Sequence, residues 1–130
     1  TIVTAGWDAT LRIWDAFTGR QEAELAGPSQ QIGVAFSPDG KMLASLSDPV
    51  EDSPETLSSM LILWDLAERK QLATIPAHSA RSYSVLFTPD GKTLITSSLD
   101  RTIKVWDVAT RRNTATFTSV PIDEDKAPLP

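Results

Sequence analysis

Three residues in the second half of the chain, His78, Thr96 and Asp100, supply an imidazole, a hydroxyl and a carboxylate. Those are the groups of a nucleophilic hydrolase: the carboxylate orients the imidazole, which takes the hydroxyl proton. A useful nucleophile must also reach a cleft and face an oxyanion hole, and nothing in the sequence around Thr96 supplies one. A hydrolase is therefore the least favoured of three readings. A second group, Asp48, Glu51, Asp52 and Glu55 in "SDPVEDSPETLSSM" (47–60), raises calcium. The glycine that a calcium loop needs for its sharp turn is missing and two prolines interrupt the run, so no metal is expected. With no cysteine and one histidine, zinc is not expected either.

The elements that would position these groups come from an internal repeat. "TLITSSLDRTIKVWDVATRR" (93–112) lies over "TIVTAGWDATLRIWDAFTGR" (1–20) without a gap, at an offset of 92 residues. A third copy between them, "MLASLSDPVEDSPETLSSMLILWDLAERK" (42–70), matches at both ends and carries extra residues in its middle. Trp-Asp thus recurs at 14–15, 64–65 and 106–107, and "VAFSPDGKMLAS" (34–45) pairs with "VLFTPDGKTLIT" (85–96). Periods of 40–50 residues are those of stacked supersecondary units that cannot bury an apolar face alone.

Each unit reads as short strands. Leu11 and Ile13 alternate with Arg12 and Trp14, as Ile103 and Val105 do with Lys104 and Trp106, a period of two rich in β-branched residues. Ser37-Pro38-Asp39-Gly40 and Thr88-Pro89-Asp90-Gly91 set tight turns, proline fixing φ and glycine supplying a left-handed conformation. The expected strands lie near 1–5, 10–14 and 20–25; then 32–37, 41–46, 59–64 and 70–75; then 83–88, 92–97, 102–106 and 112–117. Repeat endings fall near 15, 65 and 107, which places the repeat unit at 1–118 and leaves 119–130, acidic and proline-rich, as a linker or tail.

Three Trp-Asp endings, two (S/T)PDG turns and their spacing resemble the WD-repeat β-propeller family over most of the chain. The resemblance implies an all-β fold of four-stranded antiparallel blades, about three present and the first incomplete. It also implies a buried hydrogen-bond network through His78, Thr96, Asp100 and Trp106, the structural alternative to a triad. By the same correspondence Thr4, Asp8 and Trp14 serve the first repeat, whose histidine would lie upstream of residue 1. Ser45 and Trp64 serve the second, which has Pro28 where the histidine belongs and no turn aspartate. The second blade is accordingly expected to be the loosest. Arginine two residues after Trp-Asp, the family's cullin-adaptor signature, is replaced by Phe17, Ala67 and Ala109.

What remains is a non-catalytic scaffold for protein or peptide recognition, as part of a larger propeller. Its alternative is an oligomerisation module that closes a ring from several chains, because propellers ordinarily need at least four blades. The family's binding rim would carry Trp7 and Leu99, the residues before the turn aspartates, with Arg81, Arg101 and the acids Asp48, Glu51, Asp52 and Glu55. Ser53-Pro54-Glu55 resembles a helix start. Partners are thus proteins or peptides, the remaining blades of the propeller, or further copies. A net charge of −5 offers no footprint for nucleic acid, and no apolar run reaches the roughly 20 residues that span a bilayer. No cofactor is expected. "TIVTAGWD" has neither a signal-peptide pattern nor an initiator methionine, so a fragment of a longer protein is expected, with the cytoplasm as default compartment.

Overall fold

The computed structural model describes residues 1–49 and 58–120. They form three antiparallel sheets. The first is β1 (Ile2–Ala5), β2 (Thr10–Trp14) and β3 (Gln21–Ala26); the second is β4 (Gln31–Phe36), β5 (Met42–Ser47), β6 (Ser59–Asp65) and β7 (Lys70–His78). The third comprises β8 (Ser82–Phe87), β9 (Thr93–Ser98), β10 (Thr102–Asp107) and β11 (Asn113–Thr118), and in every sheet neighbours in sequence are neighbours in space. This is the expected all-β architecture of propeller blades, three of them with the first lacking a strand. Each expected strand is present within a residue or two at its start. The main departure is β7, which runs on to His78 because Ser59 pairs with His78 and Met60 with Pro76 beyond a bulge.

The repeat extends to the backbone. Gly40 and Gly91 take φ of 71° and 72°, and their amides close the turns on Ser37 O (2.9 Å) and Thr88 O (2.8 Å). Asp39 and Asp90 each accept a hydroxyl and the amide two residues on, which makes the two turns superposable. Ala9 and Arg101, one repeat offset apart, share φ of 67° and 68°. Gly19 and Arg111 do likewise at 71° and 61°, and Arg69 joins them at 52°. Non-glycine residues resist this region by roughly 1–2 kcal/mol, so the turn geometry is imposed by strand pairing on both sides.

The core lies between sheets. Leu11, Ile13 and Leu25 of the first sheet pack against Leu43, Ile62 and Trp64 of the second. The opposite face of the second, with Ala44, Leu46, Leu61 and Leu63, packs against Val85, Leu94 and Trp106 of the third. β5 and β6 are therefore buried on both faces and lose the alternation that β2 shows. The second repeat, expected to be the loosest, combines a depleted hydrogen-bond set with packing on both faces, and apolar burial at roughly 25 cal/mol per Å² acts against that expectation. The outer sheets each keep one uncovered face. Phe117 is 61% exposed and Ile103 47%, whereas their repeat equivalents Leu25 and Leu11 are at 4% and 0%.

That contrast is measurable. Leu25→Ala is expected to lower unfolding free energy by about 2–4 kcal/mol and Phe117→Ala by less than about 1 kcal/mol in urea denaturation, although the two positions are repeat equivalents.

Candidate functional site

The hydroxyl–imidazole–carboxylate set is assembled as a closed hydrogen-bond chain. β9 carries Thr96, β10 carries Trp106, the end of β7 carries His78, and the β9–β10 turn carries Asp100. Trp106 Nε1 donates to Thr96 Oγ1 (3.0 Å), so the threonine proton is free to be donated to His78 Nε2 (2.7 Å). The other ring nitrogen, Nδ1, then carries the proton and faces Asp100 Oδ2 at 3.0 Å, with Thr102 Oγ1 at 2.9 Å. Asp100 also accepts the Ser79 amide on Oδ2 (3.2 Å), and the Thr102 amide (2.9 Å) and hydroxyl (2.6 Å) on Oδ1.

Burial pushes the His78 imidazole below its ordinary value and outweighs the opposite pull of Asp100, which favours the charged ring. Burial acts to raise the Asp100 carboxyl, but the Thr102 hydroxyl and amide and then His78 outweigh it and hold the group down at about 2. Thr96 and His78 are 0% and 1% exposed. The hydroxyl has both its proton and a lone pair engaged, and the chain of groups ties the β9–β10 turn to the buried indole of Trp106.

The other repeats keep parts of it. Trp14 Nε1 donates to Thr4 Oγ1 (3.0 Å), and Asp8 accepts the Thr10 hydroxyl (2.7 Å) and amide (3.2 Å) together with the Arg12 guanidinium. The Thr10 and Arg12 contacts hold the Asp8 carboxyl below its usual range. In the second repeat Trp64 Nε1 donates to a buried Ser45 Oγ (2.9 Å). Beyond that pair the set is broken: Gln31 Oε1 and Ser47 Oγ, on residues paired across β4 and β5, are buried without partners among the described residues.

The network ends at the rim formed by the turns after β1 and β9 and the loops before β4 and β8. Trp7 stands 72% exposed and Leu99 52%, and the Arg101 side of the turn is exposed too. A cleft of about 630 Å³ opens beside Trp7, lined by Asp8, Ser29, Gln30, Asp48 and Arg81. Two of the candidate rim residues, Asp48 and Arg81, are paired with each other in this cleft. Asp48 is 7% exposed, and its carboxylate is bound by Arg81 Nε (3.1 Å) and Nη2 (3.0 Å), because β5 delivers it next to the loop that begins the third sheet. Ser29 and Gln30, which sequence reasoning missed, clamp the backbone of Asp48: Ser29 Oγ donates to its carbonyl (2.6 Å) and its amide donates to Gln30 O (2.9 Å). Loop residues carry no periodic signal by which they could have been found. Glu51, Asp52 and Glu55, and with them the helix start at Ser53-Pro54-Glu55, lie outside the described residues. Among the described residues no cluster of three or more metal-ligating side chains is present, and no helix is long and apolar enough to cross a membrane.

Comparison with known proteins agrees with this geometry. The family model "WD domain, G-beta repeat" matches residues 1–15, 19–52 and 69–107. The target of rapamycin complex subunit wat1 of Schizosaccharomyces pombe is 33% identical over 110 residues, covering 82% of this chain and 32% of that protein. Transducin beta-like protein 3 of Rattus norvegicus is 32% identical over 124 residues, 95% of this chain and 14% of the relative. Small ribosomal subunit protein RACK1y of Oryza sativa is 30% identical over 112 residues, with 85% and 30% covered. The chain thus spans a third or less of the length of these relatives. Among solved structures, that of U3-55K superposes with a TM-score of 0.76 at 24% identity over 90% of this chain and 35% of the other, a likeness of fold.

Because Asp100 is held ionised by the fold, its contribution to stability is complete above 3.8, its ordinary pKa, and is lost as pH falls toward 2. Asp100→Asn is expected to lower stability by about 2 kcal/mol at pH 7. The gap between the two proteins should close as pH falls from 3.8 toward 2 in parallel denaturation series. His78, whose folded pKa is depressed by burial, adds a loss as pH falls below 6.5.

Proposed function

The chain belongs to the WD domain, G-beta repeat family, and from that premise we propose that it is a non-catalytic scaffold, part of a larger propeller, that recognises proteins or peptides at its rim. The observation that carries this reading is Trp7, 72% exposed beside a cleft to which loops of all three sheets contribute. Tryptophan is the residue most enriched among binding hot spots, and a large aromatic on a tight turn gains nothing from solvent. The rigid blade beneath it holds the turn in place, which lowers the entropy lost on binding. Two relatives are named as a subunit of a complex and as a ribosomal subunit protein, which supports an assembly role.

Peptides selected from a random display library on the folded chain are expected to lose about tenfold or more in affinity with Trp7→Ala. Phe17→Ala, which removes a fully exposed aromatic from the opposite end of the sheets, should change it by less than about twofold. Equal losses at both positions, or none at Trp7, would remove the rim from consideration.

A second reading is favoured by the uncovered outer faces. Phe117 and Ile103 on the third sheet correspond to residues that the first sheet buries against the second, and Ile2, 49% exposed, corresponds to the buried Leu94. One end therefore presents the kind of face that the other end accepts, and further copies of the chain would close a ring head to tail. Light scattering of the isolated chain is expected to give a discrete oligomer under this reading; a folded, non-aggregating monomer would exclude it.

A further inference from the structure

The rim cleft contains two carboxylates and one guanidinium, and their hydrogen bonds leave an asymmetry. Asp8 is engaged by Thr10 and Arg12. Asp48 is engaged on both oxygens by Arg81 and is 7% exposed. Arg81 is different. It uses its Nε–Nη2 edge on Asp48, while its side chain remains 52% exposed and its second edge, Nη1 with the remaining Nη2 proton, has no partner among the described residues. Among the described charged groups of the cleft, the unmatched one is thus a pair of donors.

That edge is also held still. The Arg81 carbonyl accepts Ser98 Oγ (2.9 Å) and the Leu99 amide (2.9 Å), and the aspartate that grips its side chain is clamped by Ser29 and Gln30. A planar guanidinium fixed at one edge presents the other at a set angle, the geometry that a carboxylate accepts with two parallel bonds. A phosphate is less well served, since its recognition draws on a cluster of arginines, and the described residues lining this cleft include a single one.

Building on the rim reading, we infer that the cleft takes a peptide segment in which an aspartate or glutamate neighbours an apolar side chain, the carboxylate on the open edge of Arg81 and the apolar group against Trp7. The free pair Arg81–Asp48 is close to neutral, so the carboxylate binds by directed hydrogen bonds more than by net charge. The side chain of Arg81 is already ordered, and its ordering entropy is not lost again on binding.

The peptides selected above test this. They are expected to be enriched in Asp or Glu within two residues of a large apolar side chain. Changing that acid to its amide should weaken binding to the native chain about tenfold, but by less than about twofold in Arg81→Gln. Because Arg81→Gln leaves Asp48 buried and unpaired, the double variant Arg81→Gln, Asp48→Asn is measured beside it to keep the site folded. Peptides that depend on Trp7 yet tolerate acid-to-amide changes would overturn the carboxylate inference and leave the rim reading standing. An acid-to-amide loss that persists in both Arg81 variants would also overturn it. Peptides indifferent to Trp7 would overturn both.

Discussion

A small β-sheet has two faces and too little area to stabilise itself, so each sheet of this chain depends on the next to cover one apolar face. The second sheet meets that condition twice. Leu43, Ile62 and Trp64 are closed off by Leu11, Ile13 and Leu25, and Ala44, Leu46, Leu61 and Leu63 by Val85, Leu94 and Trp106. Everything finer in the structure is set on this stacking. The buried tryptophans can donate to Thr96 and Ser45 because packing has already excluded water from those pairs, and an indole N–H in such a place must find an acceptor.

The network then carries order from the core to the surface. In the third repeat it runs from Trp106 through Thr96 and His78 to Asp100, ending on a turn whose next residue, Arg101, holds a left-handed φ of 68°. Four donors on one carboxylate keep that turn rigid, and the residue before it, Leu99, is displayed to solvent. In the first repeat Arg12 takes up part of the same task at Asp8, so Trp7 is displayed from an equally tight turn. Catalytic chemistry and structural rigidity ask for the same three side chains, and here the hydroxyl is fully buried between an indole and an imidazole.

The second repeat shows what happens when the network is incomplete. With Pro28 in the place of the histidine, Gln31 packs against Gly27 so closely that a side chain at that glycine would collide with its amide. Among the described residues Gln31 Oε1 and Ser47 Oγ find no partner. Unsatisfied groups of this kind cost about 1–3 kcal/mol each, and the repeat carries the cost because its two faces are both buried. A depleted hydrogen-bond set and a well-held sheet are therefore compatible.

Strand positions and both Pro-Asp-Gly turns were legible in the sequence, since alternation, turn residues and a repeated spacing report on local backbone and on neighbours within one sheet; the Thr–Trp pairings were implied by the family resemblance. Coverage is not local. Leu25 and Phe117 occupy equivalent positions, and nothing in their own segments distinguishes the buried one from the exposed one; a neighbouring sheet does. Asp48 and Arg81 lie 33 residues apart in loops without periodicity, and their pairing exists because two sheets bring the loops together. The sequence by itself determined which elements form and which side chains could bond within a repeat. The tertiary structure alone decided which faces of the described sheets pack together, that the Asp48 carboxylate is bound by Arg81, and that Trp7 is exposed beside them, because these relations join segments far apart in the chain.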